Sequence, residues 1–187
     1  MLALMIQTEL DVLRDVAQRL EDEQISYMLT GSLAMNYYAQ PRMTRDIDLV
    51  IEIGIDEIDT FLRAFESDYY VDRISIGKAI AQRSMFNLIH NIAIIKVDCV
   101  VLKNDEYRRE EFSRRSRVRL GEFDTWIVSR EDLVLSKLVW AKTSRSEMQL
   151  RDVKNLLEEE CDLDYLWDRA QRLTVNDLLE ELIGENE

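Results

Sequence analysis

Two aspartates at the head of an apolar segment, Asp46-Ile-Asp48-Leu-Val-Ile, constrain this chain more than any other feature. The apolar run over 46–53 predicts a strand, yet Asp is among the poorest strand formers. Side chains at i and i+2 leave a strand on the same face. The two carboxylates therefore stand side by side and repel each other unless a cation lies between them. Magnesium, or manganese in its place, meets that need, because it takes oxygen ligands and keeps positions open for phosphate. Upstream, residues 25–30 read as a strand that runs into Gly31-Ser32 and a short helix over 32–39. A helix starting at Ser32 offers unpaired N–H groups and a positive dipole end to an anion. Gly31 lacks the Cβ that would hold a phosphate away. Carboxylates for a metal and a turn for a phosphate, one helix apart, are the parts of a site for a metal-bound nucleotide.

A third acid, Asp98, is alone in the apolar run over 92–102, where a charge is costly unless it is paired or coordinated. If that run neighbours the Asp46 strand, three carboxylates converge. Asp98 then adds a metal ligand and helps to activate an acceptor hydroxyl. Two conditions attach to this reading. Asp98 must lie on the same side of the sheet as Asp46 and Asp48, and no basic side chain may fill the gap between them. Each element alone has a plainer account: a strand start with solvated acids, a Gly-Ser turn and cap, an edge-strand acid facing water. The order of turn, paired acids and lone acid is what favours a site.

A chain of 187 residues suffices for one domain with a substantial core. The pattern predicts an α+β fold: a mixed-sheet core over 1–128, flanked by helices, and a helical C-terminal subdomain over 129–187. Within the core, a helix is expected over 4–23 and another after Asp56. Strands are expected over 69–76, 86–90 and 92–102, a helical turn over 78–83, and a hairpin of 117–120 with 124–128 turning at Gly121. In the tail, Ser129 caps a helix, and three more cover about 147–160, 162–173 and 174–183. The formal charge of −13 argues against a protein that coats nucleic acid through bulk electrostatics. Arg108, Arg109, Arg114, Arg115, Arg117 and Arg119 either dock an acidic acceptor such as tRNA or form a solvated face that balances an acidic chain. Two cysteines and one histidine cannot build a zinc site of the usual spacing. A reduced, buried Cys99 and the lack of a membrane-length apolar stretch suit a cytoplasmic location with no membrane partner.

The order Gly31-Ser32, helix, Asp46-x-Asp48 and later Asp98, set in RMTRDIDLVIE, resembles the polymerase-β-like nucleotidyltransferase superfamily over residues 25 to about 102. The helical tail is similar to minimal nucleotidyltransferases and abortive-infection toxin-type relatives, where a helix lysine and a later aspartate complete the site. Lys137 and Asp152 match those positions. The resemblance implies an NTP donor with Mg²⁺, transfer of NMP to a hydroxyl of a protein, tRNA or small molecule, and release of pyrophosphate. It also implies a toxin–antitoxin or defence setting with a cognate partner protein. By that resemblance Asp46, Asp48 and Asp98 are catalytic and hold the metals. Gly31 and Ser32 hold the β- and γ-phosphates, and Lys137 neutralises triphosphate charge. Asp152 orients the acceptor or pairs with Arg151 or Lys137. Arg45 touches phosphate or offsets the acids. Lys137 also reads as an exposed helix lysine and Asp152 as half of a surface pair. A reading of a different class, a catalytically weak nucleotide- or partner-binding module resembling an antitoxin, rests on the acidic tail, which suits a basic partner. A modifier of small molecules such as aminoglycosides would also fit the anionic surface, but no extended acidic drug-binding insertion is present.

Overall fold

The segment with the paired aspartates does form a strand, and it lies at the middle of the sheet. The computed structural model describes residues 8–184. Within them the strands are β1 (Ser26–Thr30), β2 (Asp46–Glu52), β3 (Tyr69–Tyr70), β4 (Met85–His90), β5 (Lys96–Val101), β6 (Ser116–Leu120) and β7 (Phe123–Ile127). They join in one mixed sheet of order β3-β4-β5-β2-β1-β7-β6. β2 runs antiparallel to β1 and parallel to β5. Ile47, Leu49 and Ile51 are fully buried on one face of β2. Strand alternation therefore turns Asp46 and Asp48 to the opposite face.

Around the sheet lie α1 (Glu9–Asp22), α2 (Gly31–Tyr38), α3 (Ile58–Phe65), α4 (Arg73–Gln82) and α5 (Glu106–Ser113). The tail is α6 (Arg130–Ser144), α7 (Glu147–Leu157), α8 (Leu163–Arg172) and α9 (Asn176–Gly184). The architecture is the expected α+β class, a mixed sheet with flanking helices. α1 buries Val12, Leu13, Val16, Ala17 and Leu20, and it packs on β1, β2 and β7. Its start is set by Thr8, whose hydroxyl accepts from the Asp11 N–H at 3.2 Å while Asp11 accepts from the Thr8 N–H. The part of the expected first helix that precedes Thr8 lies outside the described residues. Among the described residues no helix is long and apolar enough to cross a membrane.

Local chemistry explains the differences from the expected elements. The strand expected over 69–76 stops at Tyr70, because Asp72 accepts from the Ser75 N–H at 2.8 Å and starts α4. An Asx cap outcompeted the β-branched residues around it. Asp56 does not cap α3. A 3₁₀ turn over Ile55–Glu57 precedes that helix, and Glu57 accepts from the Gly54 N–H at 2.7 Å. The charged stretch after Asp105 contains α5, capped by Asp105 itself.

The tail and the sheet share one hydrophobic core, in which Leu133, Leu138, Val153 and Leu166 belong to the same cluster as Ile47 and Val97. A buried polar junction adds to it. Asp132, fully buried in the first turn of α6, accepts from Arg114 Nε at 2.9 Å, Ser129 Oγ at 2.7 Å and Tyr165 Oη at 2.8 Å. Asp132→Ala would leave Arg114 and Tyr165 facing an empty site, and should lower unfolding free energy by about 3 kcal/mol. Urea titration followed by circular dichroism measures that loss.

Candidate active site

The parallel register of β2 and β5 pairs Asp46 with Lys96 and Asp48 with Asp98. On the outer sides, Thr30 of β1 stands opposite Asp48 and Asn87 of β4 opposite Asp98. One row across four strands is thus Thr30, Asp48, Asp98, Asn87. The first condition set by the sequence is met: Asp98 shares a face with the paired aspartates. The second is not. Lys96 Nζ lies 3.0 Å from Asp98 Oδ2 and 3.7 Å from Asp46 Oδ1, so a basic side chain stands between two of the three acids. Its place follows from the same alternation, because Lys96 is two residues before Asp98 and directly across from Asp46. The other oxygen of Asp98 accepts from the Asn87 amide.

Asp48, like Asp98, is half-buried, whereas Asp46 is exposed. Burial pushes the Asp48 carboxyl above the ordinary range, and the neighbouring charges of Asp98 and Asp46 push it further; the Ser32 N–H and Lys96 pull it back. Lys96 is held above its ordinary value by its hydrogen bond to Asp98 and by the charges of Asp98, Asp46 and Asp48.

Gly31 closes the site from the side of α2. Its φ of +66° lies in the left-handed region, and a Cβ built there would lie 2.0 Å from Asp48 Oδ2. The backbone of the turn thus presses directly on a carboxylate, an approach only glycine permits. Beyond it stands a second group of charges. Arg42 Nη2 donates to Ser32 Oγ at 2.7 Å, and the same guanidinium reaches both oxygens of Asp152 at 3.2 and 3.1 Å. Lys137 Nζ donates to Asp152 Oδ2 at 2.7 Å and to Gln149 Oε1 at 3.1 Å. Lys137 and Asp152 are 5% and 2% exposed, so neither is the surface residue of the alternative reading. Burial lowers the Lys137 ammonium, and Asp152 raises it in opposition; Asp48 is near enough to add to the raising.

The structure therefore brings together Gly31, Ser32, Asp46, Asp48, Asp98, Lys137 and Asp152. Arg45 does not join them: it is exposed and makes no hydrogen bond or ion pair among the described residues. Arg42, three residues earlier, takes the place next to the turn. It was legible only as one more arginine, since its reach depends on the loop after α2. Asn36 fixes that loop, accepting from the Arg42 N–H at 2.9 Å and donating to the Arg42 carbonyl at 2.8 Å. Lys96 and Asn87 were likewise invisible as site residues, because only strand pairing places them.

The arginines over 108–119 are committed within the chain. Arg108 pairs with buried Glu111 at 2.7 Å, Arg114 with Asp132, Arg109 with Glu52, Arg117 with Glu21 and Arg119 with Asp124. Arg115 stacks on Phe112 and Trp126. Of the two readings this matches the solvated face that balances an acidic chain: Arg109, Arg117 and Arg119 stay exposed in surface ion pairs. His90 ends β4, accepting from the Ala93 N–H and packing edge-on to Tyr69.

Whether a hard divalent cation suits this site can be judged from the donors present. They are carboxylate oxygens, and the strain on Asp48 is of the kind a cation relieves. Among the described residues no three acidic, histidine or cysteine side chains already enclose a metal position. Lys96 stands in the gap. The three-acid metal site expected from the sequence is therefore not formed: only Asp46 and Asp48 remain to hold an ion, and Asp46 is itself 3.7 Å from the ammonium.

No protein-family model and no curated protein matches the sequence. Solved structures do match the fold. An antigenic nucleotidyltransferase-like protein from Paracoccidioides brasiliensis is similar over 95% of this chain and 88% of its own, with a TM-score of 0.62 and 18% identity. The lincosamide antibiotic adenylyltransferase LnuA, bound to lincomycin, is similar over 80% of this chain and 96% of its own, with a TM-score of 0.54 and 15% identity. A candidate nucleotidyltransferase from Thermotoga maritima is similar over 74% of this chain and 88% of its own, with a TM-score of 0.52 and 18% identity. At these identities the likeness establishes the fold: this chain has the fold of nucleotidyltransferases.

Two measurements check the site. Gly31→Ala forces a side chain against Asp48 in a left-handed turn and should cost about 2–4 kcal/mol in urea unfolding. Asp48→Asn should do the reverse in protein stripped of metal. A raised carboxyl pKa means that the folded state resists ionisation more than the unfolded chain, so the penalty is full above the folded pKa and fades as pH falls through it. The melting temperature of Asp48→Asn should exceed that of the parent at pH 7.5, and the difference should shrink as pH approaches 4.

Proposed function

We propose that this chain is a nucleotidyltransferase that moves NMP from an NTP to a hydroxyl group. The observation that carries the proposal is the row of Asp48 and Asp98 on adjacent parallel strands, with Asp46 on the same face and the Gly31-Ser32 turn against Asp48. The site is polar in the right sense. Arg42 and Lys137 share one carboxylate and leave a formal excess of positive charge beside Ser32, while the acids gather on the sheet. The β- and γ-phosphates would rest on the Ser32 hydroxyl and Arg42, with Lys137 behind them.

In the reaction the acceptor oxygen attacks the α-phosphorus, and the bond from that phosphorus to the oxygen bridging the β-phosphate breaks. Pyrophosphate leaves with the bridging oxygen. The acceptor's proton passes to a carboxylate oxygen of Asp98, which Asn87 and Lys96 hold in place. A divalent ion held by Asp46 and Asp48 would supply charge neutralisation at the phosphates.

The acceptor favoured is a small-molecule hydroxyl. The arginines that would have met tRNA are paired internally, LnuA is a lincosamide adenylyltransferase of this fold, and a chain of formal charge −13 attracts cationic solutes. A second reading, a module that binds nucleotide with little turnover, is favoured by one observation, the ammonium of Lys96 in the acid cluster.

Incubation with α-labelled NTP and Mg²⁺ against small-molecule hydroxyl acceptors, protein and RNA tests the proposal. Label should move to an acceptor, and Asp46→Asn and Asp48→Asn should each lower the rate by about 10²-fold or more while the variants stay folded by circular dichroism. Transfer that survives in both variants overturns the assignment. Label on protein or RNA moves the acceptor to the macromolecular class that a toxin–antitoxin system would require. NTP binding by calorimetry with no transfer decides for the second reading.

A further inference from the structure

We infer that Lys96 takes the place of a second divalent cation, so that this site works with a single metal ion, held by Asp46 and Asp48. The inference rests on the nucleotidyl-transfer reading above. Three carboxylates on one face of a sheet can hold two ions, as in two-metal phosphoryl-transfer sites. Here the ammonium contacts Asp98 at 3.0 Å and Asp46 at 3.7 Å, bridging the two acids on the side away from the Gly31 turn. Asp48 makes no such contact and is left facing Ser32.

Three features make Lys96 part of the site rather than a passing surface contact. Strand register fixes its Cα opposite Asp46, and alternation fixes its side chain on the same face as Asp98. Asp98 is immobilised from the other side by Asn87, so its free oxygen is presented to Lys96. The carboxylates also explain the lysine: three formal negative charges and one positive leave −2, which one divalent ion balances. Lys96 also gains a task in this arrangement. Next to Asp98 it polarises the acceptor oxygen that a second metal would otherwise bind.

Manganese binding tests this without relying on turnover. Electron paramagnetic resonance counts bound Mn²⁺ per chain in the presence of a saturating α,β-methylene NTP, after subtraction of the ion bound by the analogue in solution. The parent should take up one ion per chain, and Lys96→Gln should take up two, or bind the first at least about tenfold more tightly, because a charge a few ångströms away is removed. A thermal melt adds a second readout: Lys96→Gln should melt below the parent without metal and gain more from Mn²⁺. Two ions in the parent overturn the inference, and so does one ion of unchanged affinity in both proteins. No Mn²⁺ in either protein, even with the analogue bound, overturns metal dependence itself and with it the reading on which this inference rests.

Discussion

Everything at the site depends on the parallel pairing of β2 with β5. A slip of one residue in that pairing would turn Asp98 to the opposite face, burying a carboxylate beside Ile47 and Leu49 and turning Val97 out of the core. The apolar halves of the two strands therefore hold the register that the polar halves use. Burial of Val97, Cys99 and Val101 on one side is what makes Lys96 and Asp98 dependable on the other. The core and the chemistry are two faces of one pair of strands.

Charge is sorted along the site rather than mixed. Carboxylates and Lys96 lie on the sheet, and Arg42 and Lys137 lie past the Gly31 turn around Asp152. A buried carboxylate between two cations is costly to dehydrate, yet removing it would strand two charges. Sharing Asp152 lets two basic groups approach each other where Coulomb repulsion would otherwise part them. A phosphate bound at Ser32, as proposed, would meet a guanidinium already held in place by Asp152.

The sheet was legible in the sequence to the extent that apolar alternation and a few rule-breaking residues specified it. Asp46-x-Asp48 stood out because acids are poor strand formers, and Asp98 because it interrupts an apolar run; each lies on a strand of the shared face. Gly31 was readable as a turn, although its contact with Asp48 was not. What escaped were residues whose role arises only from pairing or from loop paths. Nothing in the sequence pattern sets Lys96, Asn87 or Arg42 apart, and Arg45 is next to the acids in sequence yet makes no hydrogen bond or ion pair to them. α4 was misread because β-branched Ile74 and Ile76 hid an Asp72 cap. α5 was missed because its charge pattern has no apolar stripe.

The link from Arg42 to Asp152 joins the loop before β2 to a helix that lies more than a hundred residues later in the chain. The helices after residue 128 are therefore not a detachable accessory. They contribute the anchor that aims a guanidinium at Ser32, as well as Lys137 beside it. Any exchange of tails among proteins built on this sheet, whether by recombination or by a protein engineer, must carry that aspartate and lysine along, or supply a substitute for both.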